Sequence, residues 1–502
     1  MEGEASLTVG WVEYAGLWSG DPLLGGFDLA SPSDPLDRWV LVPQAALTWR
    51  PGVSHRFRLR ANGRSLARVP TLDDDLSLTH VLVSDGVPVS EAWKERLFLD
   101  EASWRWRPGG DPASDLRVGI LPYGIAGGRF QAESWPGVRY RLDARRLGWA
   151  PLAAELRAAA TLRGTTQAAL ALRHEPSMFE HVAVELAWSR DARAGVAPVL
   201  EQDLGMLTEL WVATSGDFIA TYQDYVLDGL AELYGSEADG LRAFQGDLAE
   251  FMALSGSADM LWASTSARLV AGRTLLDAAV VYGGGRARLA GQRFPEGTEP
   301  SEVGALWYTE APREPFALDF SLRGWAWDFA ASRLSDGPWQ PGVFFQGMTG
   351  EDDLVGRATA GAPVRMFLAS DPAFVRTRIF PADSAARSGA LDFPPGVAGY
   401  GLLTPGAWLA WSKEHGSVHL QVALPCATQP SPLAPGGYLY GLEADLLLAA
   451  SPLPVLGLQL EGGLFQPGTF FLDRTNPGGN SPFELPLGWR VVGAVTLRTP
   501  SG

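Results

Sequence analysis

Apolar and polar residues alternate along this chain from Leu7 almost to its end. Successive side chains of a strand point to opposite faces, so a period of two predicts strands with one apolar face. In His55–Ala61, Arg56, Arg58 and Arg60 share one face while Phe57, Leu59 and Ala61 share the other. Between 152 and 163 the set Leu152, Ala154, Leu156, Ala158, Ala160 and Leu162 alternates with a set carrying Glu155, Arg157 and Arg163. Phe316, Leu318, Phe320 and Leu322, read as outward, alternate with Ala317, Asp319, Ser321 and Arg323. Leu442 to Leu448 alternates around Glu443 and Asp445, and Leu456 to Leu464 around Gln459 and Glu461. A cationic face backed by an apolar one fits a soluble sheet poorly. It fits a barrel wall with lipid outside and a wet lumen inside.

Turn signals punctuate the pattern at Arg107-Pro108-Gly109-Gly110, Trp135-Pro136-Gly137, Pro405-Gly406 and Pro435-Gly436-Gly437. One stretch breaks the rhythm. Phe218, Tyr222, Tyr225 and Leu230 recur at helical spacing, as do Leu241, Phe244, Leu248 and Phe251, with Gly235-Ser236 between them. The spacing predicts a helical hairpin over about 217–254, serving as a lumen plug or as a docking element for a periplasmic or surface protein partner. The predicted fold is therefore all-β, a transmembrane antiparallel up-and-down β-barrel of about 16–18 strands with this helical insert. No shift in composition marks a boundary, so 1–502 reads as a single outer-membrane domain.

Composition sharpens the reading. Apolar residues make up 46% of the 502, yet no run approaches the roughly 18 to 20 apolar residues of a spanning helix. Barrel strands need only alternate apolar positions. Trp49, Trp104, Trp106, Trp149, Trp188 and Tyr282 fall near strand ends, where an interfacial girdle of aromatics belongs. A net charge of −17 excludes a nucleic-acid partner, which needs basic surface. Lys94 and Lys413 are the only lysines, so nearly all positive charge is arginine. Cys426 is the only cysteine, which rules out an intramolecular disulfide. The opening Met1-Glu2-Gly3-Glu4-Ala5 carries no signal core, and we read it as a mature sequence with an added start Met, its signal peptide removed.

Enzymatic signals are weak. His415 and His419 are four apart, but on a turn and strand rather than the helix a metal pair needs. No nucleophile elbow, phosphate loop or dinucleotide fingerprint is present, and no cofactor, metal site or catalytic residue is expected. The chemistry-bearing residues are charges. The inferred inward set is basic in the first third and more acidic later, at Asp277, Asp319, Glu443, Asp445 and Glu461.

The stretch Leu97-Phe98-Leu99-Asp100-Glu101-Ala102-Ser103-Trp104-Arg105-Trp106-Arg107-Pro108, followed by Leu116-Arg117-Val118-Gly119 and Gly127-Gly128-Arg129, resembles the alginate-export type of Gram-negative outer-membrane porin. The likeness covers roughly 95–145. It implies an 18-stranded barrel exporting an anionic polysaccharide through an arginine-lined constriction, with Glu101, Arg105, Arg117, Arg129, Arg139 and Arg141 in or near the lumen. Alternation adds Arg56, Arg58, Arg60 and Arg157 to that path. The expected function is passage of an anionic polysaccharide or other solute across the outer membrane, with outer-membrane lipid around the wall. Two rivals remain: a plugged barrel acting as scaffold in adhesion or gliding motility, and a soluble carbohydrate-active protein.

Overall fold

The computed structural model describes residues 2–15, 18–19, 28–29, 36–63, 97–125, 131–144, 146–147, 152–160, 165–174, 179–191, 255–293, 314–351, 357–358, 360–367, 401–430, 436–471 and 487–499. The hairpin expected at 217–254 lies outside them, as do Arg129, Trp149 and Arg163. Eighteen strands form one sheet. In chain order they are β1 (Glu2–Ala15), β2 (Leu36–Trp49), β3 (His55–Gly63), β4 (Leu97–Trp106), β5 (Ser114–Ile125), β6 (Gln131–Asp143), β7 (Leu152–Ala160), β8 (Thr165–His174) and β9 (Phe179–Asp191). There follow β10 (Ser255–Ala271), β11 (Thr274–Arg293), β12 (Glu314–Arg333), β13 (Trp339–Met348), β14 (Leu402–Lys413), β15 (Gly416–Ala423), β16 (Gly441–Leu453), β17 (Leu456–Pro467) and β18 (Gly488–Arg498).

Each strand pairs antiparallel with its neighbours in sequence, and β1 closes the ring by pairing with both β2 and β18. Closure leaves no open edge strand, so the ladders of the membrane-spanning wall pair within it. The connections alternate in length. At one end lie the tight turns Gly272-Arg273, Glu414-His415 and Pro454-Val455, and at the other the chain between strands runs through 64–96, 192–254 and 349–401.

The wall is apolar outside and polar inside. Leu47, Phe57, Val138, Leu156, Val184, Leu261, Leu420, Leu446, Leu460 and Val495 are exposed on ten of the strands. Glu101, Asp115, Glu185, Ser264, Asp328, Gln346, Gln421, Glu443, Asp445 and Glu461 are buried. A water-soluble protein has the reverse distribution. Between Thr274 and Arg286 the outward positions of β11 carry no charge, and Arg286 is the first that does. At about 3.3 Å per residue and a tilt near 40° that stretch spans about 30 Å, the thickness of a hydrocarbon core. Tyr282 and Trp325 pack at 4.9 Å at its upper edge. Trp339 and Trp411 pair at 6.4 Å at the short-turn end.

Three local expectations are corrected. In β12, Phe320 and Leu322 are buried while Asp319 and Arg323 are exposed, the reverse of the face read from alternation. This part of β12 extends beyond the Trp325 level, where the outside is water and the inside is covered by chain. Val364 accepts from the Arg323 N–H at 2.9 Å and donates to Ser321 at 2.8 Å, continuing the ladder where β13 has ended. Trp135-Pro136-Gly137 and Pro405-Gly406 are not turns but lie within β6 and β14. Both prolines sit where the neighbouring strand runs out: β15 first pairs at Gly406 and β7 at Gly137, so a missing N–H costs no ladder bond there.

Candidate functional site: the arginine row of the inner wall

Residues directly opposite across a ladder share a face. Following the register from β3 to β7, Arg56 faces Arg105, Arg105 faces Arg117, Arg117 faces Arg139 and Arg139 faces Arg157. Five arginines therefore stand side by side on five consecutive strands. Arg56, Arg105, Arg117 and Arg139 lie opposite in phase to the exposed Phe57, Trp106, Val118 and Val138, which sets them on the inner face, and Arg157 holds the next register position. Arg56 is the second residue of β3, close to the short-turn rim, and Arg157 is the sixth of β7. Strands tilt in a barrel, so the row climbs the wall obliquely from that rim.

On one side the row is flanked by Arg58 and by the small residues Ser103, Gly119, Gly137 and Ala159. On the other run Asp115, Arg141 and Glu155. Asp115 is buried and binds Arg105, Arg117 through Nε at 3.4 Å, and Arg107 through Nε at 3.7 Å. Glu101 pairs with Arg58 at 3.5 Å and accepts from Ser103 Oγ at 2.6 Å. Arg60 lies opposite Glu101, just before a bulge that shifts the β3–β4 register. The eight arginines Arg56, Arg58, Arg60, Arg105, Arg117, Arg139, Arg141 and Arg157 outnumber the six carboxylates of the same strands, Asp100, Glu101, Asp115, Glu133, Asp143 and Glu155. No described carboxylate makes an ion pair with Arg56 or Arg139.

The acidic side chains gather elsewhere. Glu443 and Asp445 on β16 and Glu461 on β17 are buried on the inner face, with Gln421 Nε2 donating to Asp445 at 3.4 Å. Asp277 lies opposite Arg268 between β10 and β11. Asp319, grouped with these by alternation, is instead an exposed outer residue 3.9 Å from Arg288.

Continued across Ala169 and Ala187, the arginine row reaches Trp262, Gly283 and Gly324 on β10 to β12. There the β13–β14 connection returns to the wall. The backbone of Met366 and Phe367 crosses so close to Gly324 that a Cβ would collide with it, and the Phe367 ring would lie 3.4 Å from one on Gly283. The segment is tied down by Phe367 N–H to Thr349 at 3.1 Å and by Glu351, which accepts from Arg365 N–H at 3.2 Å and from Arg357 Nε at 2.6 Å.

Sequence reasoning named the arginines but missed Asp115, Arg107 and the Trp262–Phe367 shelf. Asp115 had a readable signal, lying two residues before Arg117 and so on its face. The shelf had none, because its parts meet only through register and a returning loop.

A closed, even-stranded antiparallel barrel with short turns at one end, long connections at the other and an apolar outer band is a transmembrane barrel of the outer-membrane type. No family model matches the chain, and no curated protein does. Among solved structures it is similar to OccK11 (OpdR) of Pseudomonas aeruginosa at 9% identity, over 99% of this chain and 95% of that one, with a TM-score of 0.44. It is similar to OccAB4 of Acinetobacter baumannii at 9% identity, over 99% of each chain, with a TM-score of 0.47. A BenF-like porin from Pseudomonas fluorescens Pf-5 follows at 8% identity, over 99% of each chain, with a TM-score of 0.46. At these values the likeness carries nothing about the solute of this chain.

Proposed function

We propose that this protein is an outer-membrane channel that conducts anionic solutes, with the row Arg56, Arg105, Arg117, Arg139 and Arg157 as its guide. The observation that carries this is the row itself. Like charges on directly opposite residues of a sheet repel and destabilise it. Neighbouring carboxylates offset only part of that repulsion, because Asp115 is shared among three arginines and Glu101 is paired with Arg58, outside the row. A surplus of fixed positive charge on a low-dielectric wall raises the local concentration of anions. Arginine suits the task because its planar fork binds carboxylate or phosphate oxygens in pairs. Passage needs no covalent step. The resemblance of 95–145 to alginate-export porins makes an acidic polysaccharide the first solute to try, with small carboxylates as the general class. The helical pattern at 217–254 would then act as a gate or plug.

Single-channel conductance in a planar bilayer under a salt gradient tests this. The intact protein, or a variant lacking 217–254, is expected to pass anions preferentially, and Arg56→Ser, Arg105→Ser and Arg117→Ser together to move the reversal potential toward zero. A cation-selective pore, or selectivity indifferent to the three substitutions, would overturn the reading.

A further inference from the structure

The outer wall carries one feature that an anion path does not use. Near the short-turn end, β14 to β18 and β1 frame an apolar groove of about 680 Å³ on the lipid-facing surface. Two outward rows build it. The first runs Lys413, Gly416, Ala450, Leu458, Val495 and Val9, and the second runs Trp411, Val418, Leu448, Leu460 and Gly493. Gly416 and Ala450 on one side and Gly493 on the other lack bulk, with Leu458 and Leu460 of β17 standing between them and Trp411 beyond Gly416. At Gly493 a Cβ would meet nothing within 4 Å, so the groove there is open space.

The groove has a polar end. Lys413, one of two lysines in the chain, closes the first row at the tight Glu414-His415 turn, with its Nζ 6.0 Å from the Trp411 ring centre. Trp411 and Trp339 set the interfacial level there. No described carboxylate makes an ion pair with Lys413. An apolar channel below the interface with a cation at its mouth has the charge and polarity order of a phospholipid, acyl chain inward and phosphate at the rim.

Resting on the outer-membrane reading above, we infer that this groove is a binding site for one anionic phospholipid of the leaflet at the short-turn end, its chain on Gly416, Ala450 and Gly493 and its phosphate on Lys413. A second barrel is a poorer fit. It would need an apolar ridge shaped to the groove. Gly493 is the natural point of attack, since filling it adds bulk without a clash in the protein.

The test is native mass spectrometry of the intact protein released from non-ionic detergent after titration with phosphatidylglycerol or phosphatidylcholine. One phosphatidylglycerol per barrel is expected to survive release. Gly493→Trp should lower its apparent affinity about tenfold, and Lys413→Gln should lower it by a similar factor while leaving phosphatidylcholine unchanged. Folding of each variant is checked by gel migration before and after heating. Equal lipid retention by Gly493→Trp and the parent, or lipid-free dimers in place of the adduct, would overturn the site. Failure to form a heat-modifiable barrel at all would instead strike the outer-membrane reading.

Discussion

Asp115 is the residue on which the arginine row leans. Buried at the base of β5, it gathers Arg105, Arg107 and Arg117. Removing one partner from a buried ionic cluster leaves the others uncompensated, which costs more than the cluster contributed. Asp115→Asn should lower unfolding free energy by about 2 kcal/mol, read from urea melts in detergent. The same substitution should strengthen anion selectivity, because it deletes the row's main counter-charge. Loss of stability without a change in selectivity would make the cluster structural. Cys426 answers a different question. It lies just past the end of β15 and bridges Leu403 of β14 to Leu439, which precedes β16, and burial raises its pKa. A raised pKa leaves less reactive thiolate at neutral pH. Maleimide labelling should therefore be slower than for a free peptide thiol at pH 7 and should accelerate as pH rises through the alkaline range.

At the scale of elements, the wall and the segment that returns to it obey different rules. Met366 and Phe367 are buried against Gly324, a position where only hydrogen fits. Gly324→Leu should expel the segment while β12 keeps its ladders with β11. The expected result is new chymotryptic cleavage after Phe367 in a barrel that still resists unfolding, with the parent protein uncut. Period-two alternation made the strands legible, including the faces of β3, β7, β16 and β17, because one side of each meets lipid. It misread β12 between Asp319 and Arg323, where water lies outside and folded chain inside, so polarity no longer reports the face. Proline misled in the same way at Pro136 and Pro405, since a strand tolerates it where a neighbour has ended. The alignment of five arginines was not legible at all. Alternation assigns a face, but which residues stand abreast depends on register, which turns and shear set together.

The whole molecule is an inverted protein, and one pair of adjacent leucines tests that directly. On β16, Leu446 is exposed on the outer band, while Leu447 points inward opposite His419 on one side and Glu461 on the other. Both lie well inside the strand, so depth is nearly the same and only the face differs. An arginine on the lipid face near the middle of the bilayer costs about 2–4 kcal/mol, because its charge must leave water for hydrocarbon. An arginine on the inner face keeps its water and gains Glu461 as a neighbour. Leu446→Arg should therefore lose about 2–4 kcal/mol on reversible unfolding from lipid vesicles, and Leu447→Arg about 1 kcal/mol or less. If both cost the same, the inside and outside of this wall are not what the register makes them. If they differ as expected, Leu447→Arg becomes useful in its own right. It sets a positive charge among the acidic residues of β16 and β17, away from the β3–β7 row. A further gain in anion selectivity would then show that the solute samples the whole lumen, whereas an unchanged reversal potential would confine its path to the arginine side.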